Sequence, residues 1–407
     1  MREGLRLEMK RLLFVMYSLN NGGAERSLVN LLCELDPKRY QIDLLLFAHE
    51  GMFLPQVPDY VNVISGGNIL EILYSQKAKH SIRNYPVILF KVVSTAITRL
   101  FEKGVQAQNA ARWIKFYSRI VPELNKQYDV AVAYISRDIM YYVDEKVNAK
   151  KKIVFIHNDY RAAGHPKKFD TAYFERMNAL VTISDTCAKV LCDEFPSMAG
   201  KIDNLPNIVS SKVIRKRAAS SMPTEFEKCD GIKIVSIGRL NEQKGFDWAI
   251  QAAQILKEKG IKFQWLIIGN GELQSSLNRL IDSTGTGDSI HLIGPRENPY
   301  IYIRAADIVV QSSRWEGKSV VLDEAKIIGT PIVTTNYPTA QDQIIEEKEG
   351  LIVDMNPVAI VKGIERLSND DKLREEIHGY LMNHEYGNVE EMNKYYALFD
   401  GDEHNKR

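Results

Sequence analysis

Cysteine pairing is the first thing missing. The four cysteines, Cys33, Cys187, Cys192 and Cys229, show no CxxC spacing in 407 residues, and the eight histidines are scattered. Neither a metal site nor a disulfide framework is suggested, and reduced thiols are expected. No uninterrupted apolar run reaches the roughly 18 residues that a spanning helix needs. A surplus of one charge is missing too: 53 Lys and Arg stand against 52 Asp and Glu, for a net charge of +1. That gives no global pull toward nucleic acid, so no nucleic-acid partner is expected. Arg2, Glu3, Arg6, Glu8, Lys10 and Arg11 give a mixed-charge start rather than a signal peptide, which points to a cytoplasmic setting.

What is present is repetition of one pattern. Short β-branched and apolar runs alternate with amphipathic helical stretches, the mark of parallel sheets built from βαβ units. The first half offers RLLFVMYS, YQIDLLLFA, VNVISGG, YDVAVAYIS, KKIVFIHN and NALVTIS; the second restarts with IKIVSIG, FQWLIIG, SIHLIG, DIVVQSS, PIVTT and GLIVD. The expected fold is α/β, with two Rossmann-like doubly wound domains. Residues 1–209 form the first domain, 210–231 a polar linker, 232–384 the second domain, and 385–407 a helix and tail that could cross back to the first.

In such sheets ligands sit beyond the carboxyl ends of the strands, where helix N-termini and glycine loops leave N–H groups free. LNNGGAERSLVNLL puts Gly22 and Gly23 between a strand and a helix, either as a phosphate or sugar cradle or as a bare tight turn. SIGRLNEQKGFDWAI puts Arg239 and Lys244 in the same kind of position, where two cations suit a diphosphate or are simply solvated. IIGNGEL has Gly269 and Gly271 but Gln274 where a dinucleotide fingerprint needs its third glycine, so it is weak evidence for a nicotinamide enzyme. In WEGKSVVLDEAKIIG, Glu316 follows a strand and Glu324 lies about two turns into a helix. Paired carboxylates suit vicinal hydroxyls of a hexose or ribose, and the residues between them would offer backbone N–H groups.

Together these segments resemble the family 4 retaining glycosyltransferases of GT-B architecture, with two Rossmann-like domains about a central cleft. The resemblance rests on GGAE at Gly22 to Glu25, the histidine of FIHND, S-x-GRL-x-x-x-KG, IIGNGEL, and the E-x7-E pair followed by GTPIV. EGKSVVLDEAKIIGTPIVTTNYPTAQDQI is similar to bacterial enzymes that assemble capsular and exopolysaccharide. The resemblance implies that Arg239 and Lys244 bind the donor diphosphate, Glu316 the sugar hydroxyls and Glu324 the ribose. It further implies that Gly317, Lys318, Ser319 and Val320 offer backbone N–H groups, that Gly22 and Gly23 approach phosphate and acceptor, and that His157 covers the transferred sugar. Groups near Pro295 and Arg296 would contact the base. No cofactor or metal is expected, with a nucleotide sugar, by default UDP-linked, as co-substrate and a glycan or lipid-linked hydroxyl as acceptor. PNIVS at Pro206 to Ser210 departs from the family's N-G-V-D-like hinge segment, so no role is carried over there.

Rivals are a metal-dependent transferase, whose DxD could only be Asp400 to Asp402, a phosphorylase-like enzyme needing pyridoxal phosphate, and a non-catalytic nucleotide-sugar-binding subunit. Loss of Arg239 or Lys244 is expected to cost turnover and leave folding nearly unaffected. One charge cluster stands out: residues 77–119 carry nine Lys and Arg and one acid, Glu102. Within it, PVILFKVVSTAITRLF wound as a helix has Lys91, Ser94, Thr95 and Thr98 on one side and Leu89, Val93, Ala96, Ile97 and Leu100 on the other. It reads either as a helix with its apolar face in the core, or as a patch that docks on an anionic inner membrane face.

Overall fold

The computed structural model describes residues 9–20, 22–75, 84–227, 229–316 and 319–401. These fall into two compact units, Met1–Val209 with Asn388–Arg407, and Ser210–Gly387.

In the first unit β1 (Lys10–Met16), β2 (Tyr40–Leu46), β3 (Val61–Ser65), β4 (Leu124–Ala133), β5 (Val147–Ile156), β6 (Ala179–Thr182) and β7 (Ile202–Asn204) form a parallel sheet. Its order is β3-β2-β1-β4-β5-β6-β7. Alternate residues of the central strands feed two separate cores. Leu13 and Val15 pack with Trp113, Phe47 and Tyr142, while Leu12, Phe14 and Met16 pack with Leu28, Leu32 and Phe155. A strand buried on both faces needs the near-continuous apolar sequence that β1 has.

In the second unit β8 (Ile232–Ile237), β9 (Phe263–Ile268), β10 (Ile290–Gly294), β11 (Ile308–Gln311), β12 (Ile332–Thr335) and β13 (Gly350–Val353) pair in parallel. Their order is β10-β9-β8-β11-β12-β13. Buried Ser236 ties three strands together: its Oγ accepts from Trp265 Nε1 at 3.0 Å and donates to the Val310 carbonyl at 2.6 Å. In each sheet the strand order reverses once, between β1 and β4 and between β8 and β11, so both are doubly wound with one switch point each.

Two stretches, 210–231 and the helix Tyr85–Phe101, differ from the sequence reading, while the C-terminal helix crosses back to the first unit. Segment 210–231 is not a plain linker: Ser211–Ala218 is a helix capped by Ser210, whose Oγ accepts from Val213 N. Ile214 and Ala218 give it a buried stripe among its charges, and Arg215 donates to the Ile327 carbonyl at 3.0 Å. Near the C-terminus, Met392–Asp400 is a helix whose Phe399 meets Phe14 edge-on at 5.9 Å. Asp400 accepts from Arg39 at 2.5 Å and from Tyr40 at 2.9 Å, so this half of the only DxD is a structural clamp; Asp402 lies outside the described residues. Finally, the expected apolar face of the helix Tyr85–Phe101 is not in the core: Leu89, Val93 and Leu100 are exposed, and Ser94 and Thr98 are buried with Val87 and Phe90 packed on the core beside them. Lys77, Lys79 and Arg83 of the basic segment lie outside the described residues.

Candidate functional site

The chain leaves β8 through Gly238 and Arg239 and turns at a short 3-10 helix, Glu242–Lys244. Asn241 caps that turn, its Oδ1 accepting from Lys244 N at 3.3 Å. Gly245 follows at φ 60, in the left-handed region that favours glycine, and a β-carbon there would stand 2.1 Å from the Ser312 carbonyl. Ser312 closes the contact by donating from Oγ to the Lys244 carbonyl at 2.9 Å. The loops after β8 and β11 are thereby locked together at the switch point of the second sheet.

That lock brings two residues 72 apart into contact. Lys244 Nζ lies 2.6 Å from Glu316 Oε1, with side chains 16% and 7% exposed. Ser313 Oγ donates to the same carboxylate oxygen at 2.7 Å, and Gln243 Nε2 donates to Oε2 at 3.1 Å. Thr339 Oγ1 holds the Glu316 carbonyl at 3.0 Å. A carboxylate offers about four lone-pair positions, so three donors leave one on Oε2 for a ligand hydroxyl. An ammonium has three donors, so Lys244 keeps capacity for anionic oxygens. Arg239 is exposed, and its guanidinium has no partner among the described residues. Arg314 does not join the site: it forks onto Asp247 at 2.9 and 2.6 Å and lies 4.2 Å over Trp248.

Glu324 is buried within the helix Val320–Ile328. Gly317 and Lys318 lie outside the described residues. Ser319, the N-cap residue, is bracketed by Gln343: its N–H donates to Gln343 Oε1 at 2.7 Å and its carbonyl accepts from Gln343 Nε2 at 2.9 Å. In this state the Ser319 N–H is therefore not open to a ligand, whereas Val320 beside it is exposed. Arg296 is turned onto its own surroundings, donating to Tyr302 Oη at 2.9 Å and Glu225 at 3.0 Å, and Pro295 is exposed. The glycines of IIGNGEL have a packing cause. A β-carbon at Gly269 would stand 1.8 Å from the Gly238 carbonyl, and one at Gly271 2.3 Å from that of Leu240. Both let this loop press on the Arg239 loop.

In the first unit, Gly22 precedes the helix Gly23–Glu34 at the end of β1. Its open face is filled by Glu25, whose Oε2 would be 1.9 Å from a β-carbon at Gly22; nothing lies within 4 Å of one at Gly23. Glu25 thus places an anionic group at a helix N-terminus, and burial pushes its carboxyl above the usual range. His157 follows β5, and its Nε2 donates to the Tyr134 carbonyl at 2.8 Å, which leaves Nδ1 as the acceptor. That Nδ1 is buried and meets no hydrogen-bond partner among the described residues. Burial lowers the imidazole to about 4, so the ring is neutral. Gln243, Ser313, Gln343 and Glu25 were not singled out by sequence. Only their places in the quoted EQKG, QSS, AQDQI and GGAE runs could have flagged them.

Residues 221–381, within the second unit, match the family model described as glycosyl transferases group 1. The chain is 24% identical to an uncharacterised glycosyltransferase of Methanocaldococcus jannaschii over 49% of this chain and 51% of that one. It is 31% identical to CapM, the capsular polysaccharide biosynthesis glycosyltransferase of Staphylococcus aureus, over 36% and 40%. The chain thus spans about half the length, or less, of the curated relatives it matches. Its fold is similar to that of HepE from Anabaena, solved in complex with UDP, at a TM-score of 0.60 and 15% identity, covering 96% of this chain and 100% of that one. The fold is GT-B.

Proposed function

We propose that the protein is a retaining glycosyltransferase acting in surface polysaccharide synthesis. It moves a hexose-type sugar from a nucleotide sugar, UDP-linked by default, to a hydroxyl of a glycan or lipid-linked acceptor without a metal. The observation that carries this reading is the Lys244–Glu316 pair at the switch point of the second sheet, on the same loop as Arg239, which is exposed and has no partner among the described residues. The group 1 match over residues 221–381, the CapM likeness and the UDP held by HepE support the same reading.

In this account Arg239 and the remaining donors of Lys244 bind the diphosphate, where negative charge grows as the glycosidic bond breaks. Glu316 takes a sugar hydroxyl on Oε2, and Glu324 is assigned the ribose. The neutral His157 accepts a hydrogen bond from a sugar hydroxyl at Nδ1. Gly23 and the backbone at Val320 approach phosphate oxygens, and backbone groups near Pro295 and Arg296 meet the base. Retention follows from same-face substitution, with the departing phosphate accepting the acceptor's proton. The segment 77–119 docks on an anionic membrane surface, which puts a lipid-linked acceptor within reach.

Incubating the protein with a panel of nucleotide sugars, and following both donor hydrolysis and transfer to oligosaccharide acceptors, tests the reading. Release of nucleoside diphosphate with a product of unchanged anomeric configuration is expected. Tight nucleotide binding with no turnover on any donor would favour a binding subunit instead.

A further inference from the structure

In the first unit the chain leaves β4 and enters the helix Asp138–Lys146 through Arg137, where the strand order of the sheet reverses and ligands of such sheets sit. Arg137 stands at φ 77, and among the described residues only Glu347 shares a positive φ outside glycine. Glycine would make this turn freely, so what the strain holds in place is a guanidinium. That group is little used. Its Nη1 donates to Gln106 Oε1 at 3.2 Å, whereas Nε is buried with no hydrogen-bond partner among the described residues. Asp138, the next residue, is 6% exposed: Tyr74 Oη donates to its Oδ2 at 2.7 Å, and its Oδ1 is buried with no partner. A donor and an acceptor thus lie unsatisfied on adjacent residues and do not satisfy each other. Buried polar groups are almost always paired, so a ligand that supplies both partners is the physical reading of the two.

Charge decides the class of that ligand. The guanidinium already acts on two carboxylates, Asp138 and Asp170, each pushed up to about 6 by burial, so the turn does not lack negative charge. Asp170 is satisfied, since Tyr141 Oη donates to one of its oxygens and Tyr160 Oη to the other. What is missing is an acceptor for Nε and a donor for Oδ1. Two neighbouring hydroxyls provide both, because each hydroxyl donates and accepts. An uncharged sugar therefore fits where an anion would meet Asp138. The Tyr17 ring, 6.0 Å from the guanidinium carbon, offers an aromatic wall. Gln106 also lines a cavity of about 710 Å³, together with Ala107, Gly164 and Pro166, so space for a pyranose adjoins the turn.

We propose that Arg137 and Asp138 form a hydroxyl-reading pair that binds a neutral hexose of the acceptor glycan, with Nε and Oδ1 uncovered as Gln106 lets go. This rests on the transferase reading above and adds to it the class of acceptor. Saturation-transfer NMR tests it, with methyl glucoside, methyl galactoside and methyl mannoside as neutral probes, glucuronate and glucose 6-phosphate as acidic ones, and UDP present throughout. At least one neutral hexoside should bind wild type, and its affinity should fall about tenfold or more in Arg137→Gly and in Asp138→Asn, which turns the open acceptor edge into a donor. Arg137→Gly, relieved of strain, should melt at or above wild type, whereas loss of a purely structural arginine would lower the melting temperature. No neutral hexoside on wild type, wild-type affinity in either variant, binding of the acidic sugars alone, or Arg137→Gly melting below wild type would overturn the pair. If Asp138→Asn does not fold, Arg137→Gly still decides. UDP titration keeps the two readings apart: both variants should titrate as wild type does, and a wild type that binds the hexoside but no UDP counts against the donor site alone.

Discussion

Lys244 and Glu316, 72 residues apart, form an ion pair at 2.6 Å that is largely shielded from water. Neither group is free in the absence of ligand. A donor therefore adds its phosphate to an ammonium whose charge is already balanced, and its hydroxyl to a carboxylate with three donors in place. The pair holds the site in shape before the donor arrives, so little reorganisation accompanies binding.

The pairing changes what a substitution at Lys244 does. Lys244→Ala leaves a shielded carboxylate with only Gln243 and Ser313, and breaking a buried pair costs about 3–5 kcal/mol. The sequence expectation that folding would be nearly untouched does not hold for this residue. Denaturant unfolding should show each of Lys244→Met and Glu316→Leu well below wild type, with the double variant more stable than either. A double variant as unstable as the sum of the singles would show that the pair is not coupled.

Gly245→Ala should disturb the site from behind. The left-handed conformation alone costs about 1–2 kcal/mol for a residue with a side chain, and the new methyl also meets the Ser312 carbonyl. The loops after β8 and β11 would be pushed apart, separating Lys244 from Glu316. Lower stability together with weaker nucleoside diphosphate binding is expected; a wild-type melting temperature would contradict the lock.

The sign of a pH effect follows from His157. Its folded value of about 4 lies below the ordinary 6.5, so between those limits the unfolded chain binds a proton that the folded one refuses. This group's contribution therefore falls as pH drops through that window and is constant above it. His157→Gln keeps a donor for the Tyr134 carbonyl but does not titrate. The stability gap between wild type and variant should narrow from pH 7 to pH 5, and a constant gap would mean that the ring is not held neutral by burial.

The strands of both sheets that cross the core were readable because burial on two faces demands near-continuous apolar runs, as in LLFVM and WLII. β7, only Ile202–Asn204, has too few residues to show any pattern. The helix Ser211–Ala218 was hidden by Lys212, Arg215, Lys216 and Arg217, which outnumber its buried residues. Periodicity gave the two faces of Tyr85–Phe101 but not which one is covered: Ser94 and Thr98 satisfy themselves within the helix, and Val87 and Phe90 pack on the core beside them. In the candidate site, Arg239, Lys244 and Glu316 were legible as residue types at strand ends. Their pairing, and the roles of Gln243 and Ser313, depend on the register between loops that only folding brings together.

The central claim is that the loops after β8 and β11 bind the diphosphate of a nucleotide donor, and Arg239 offers its most direct test because it is exposed and has no partner among the described residues, so its loss should leave folding intact. Calorimetric titration of a panel of nucleoside diphosphates into wild type and Arg239→Ala is the measurement. The account predicts that at least one of them, UDP by default, binds wild type and binds the variant about tenfold or more weaker, since a charge-assisted contact is worth about 1.5–3 kcal/mol. Thermal unfolding of the unliganded proteins should coincide. Equal affinity in the two proteins, or no binding of any nucleoside diphosphate to wild type, would contradict it.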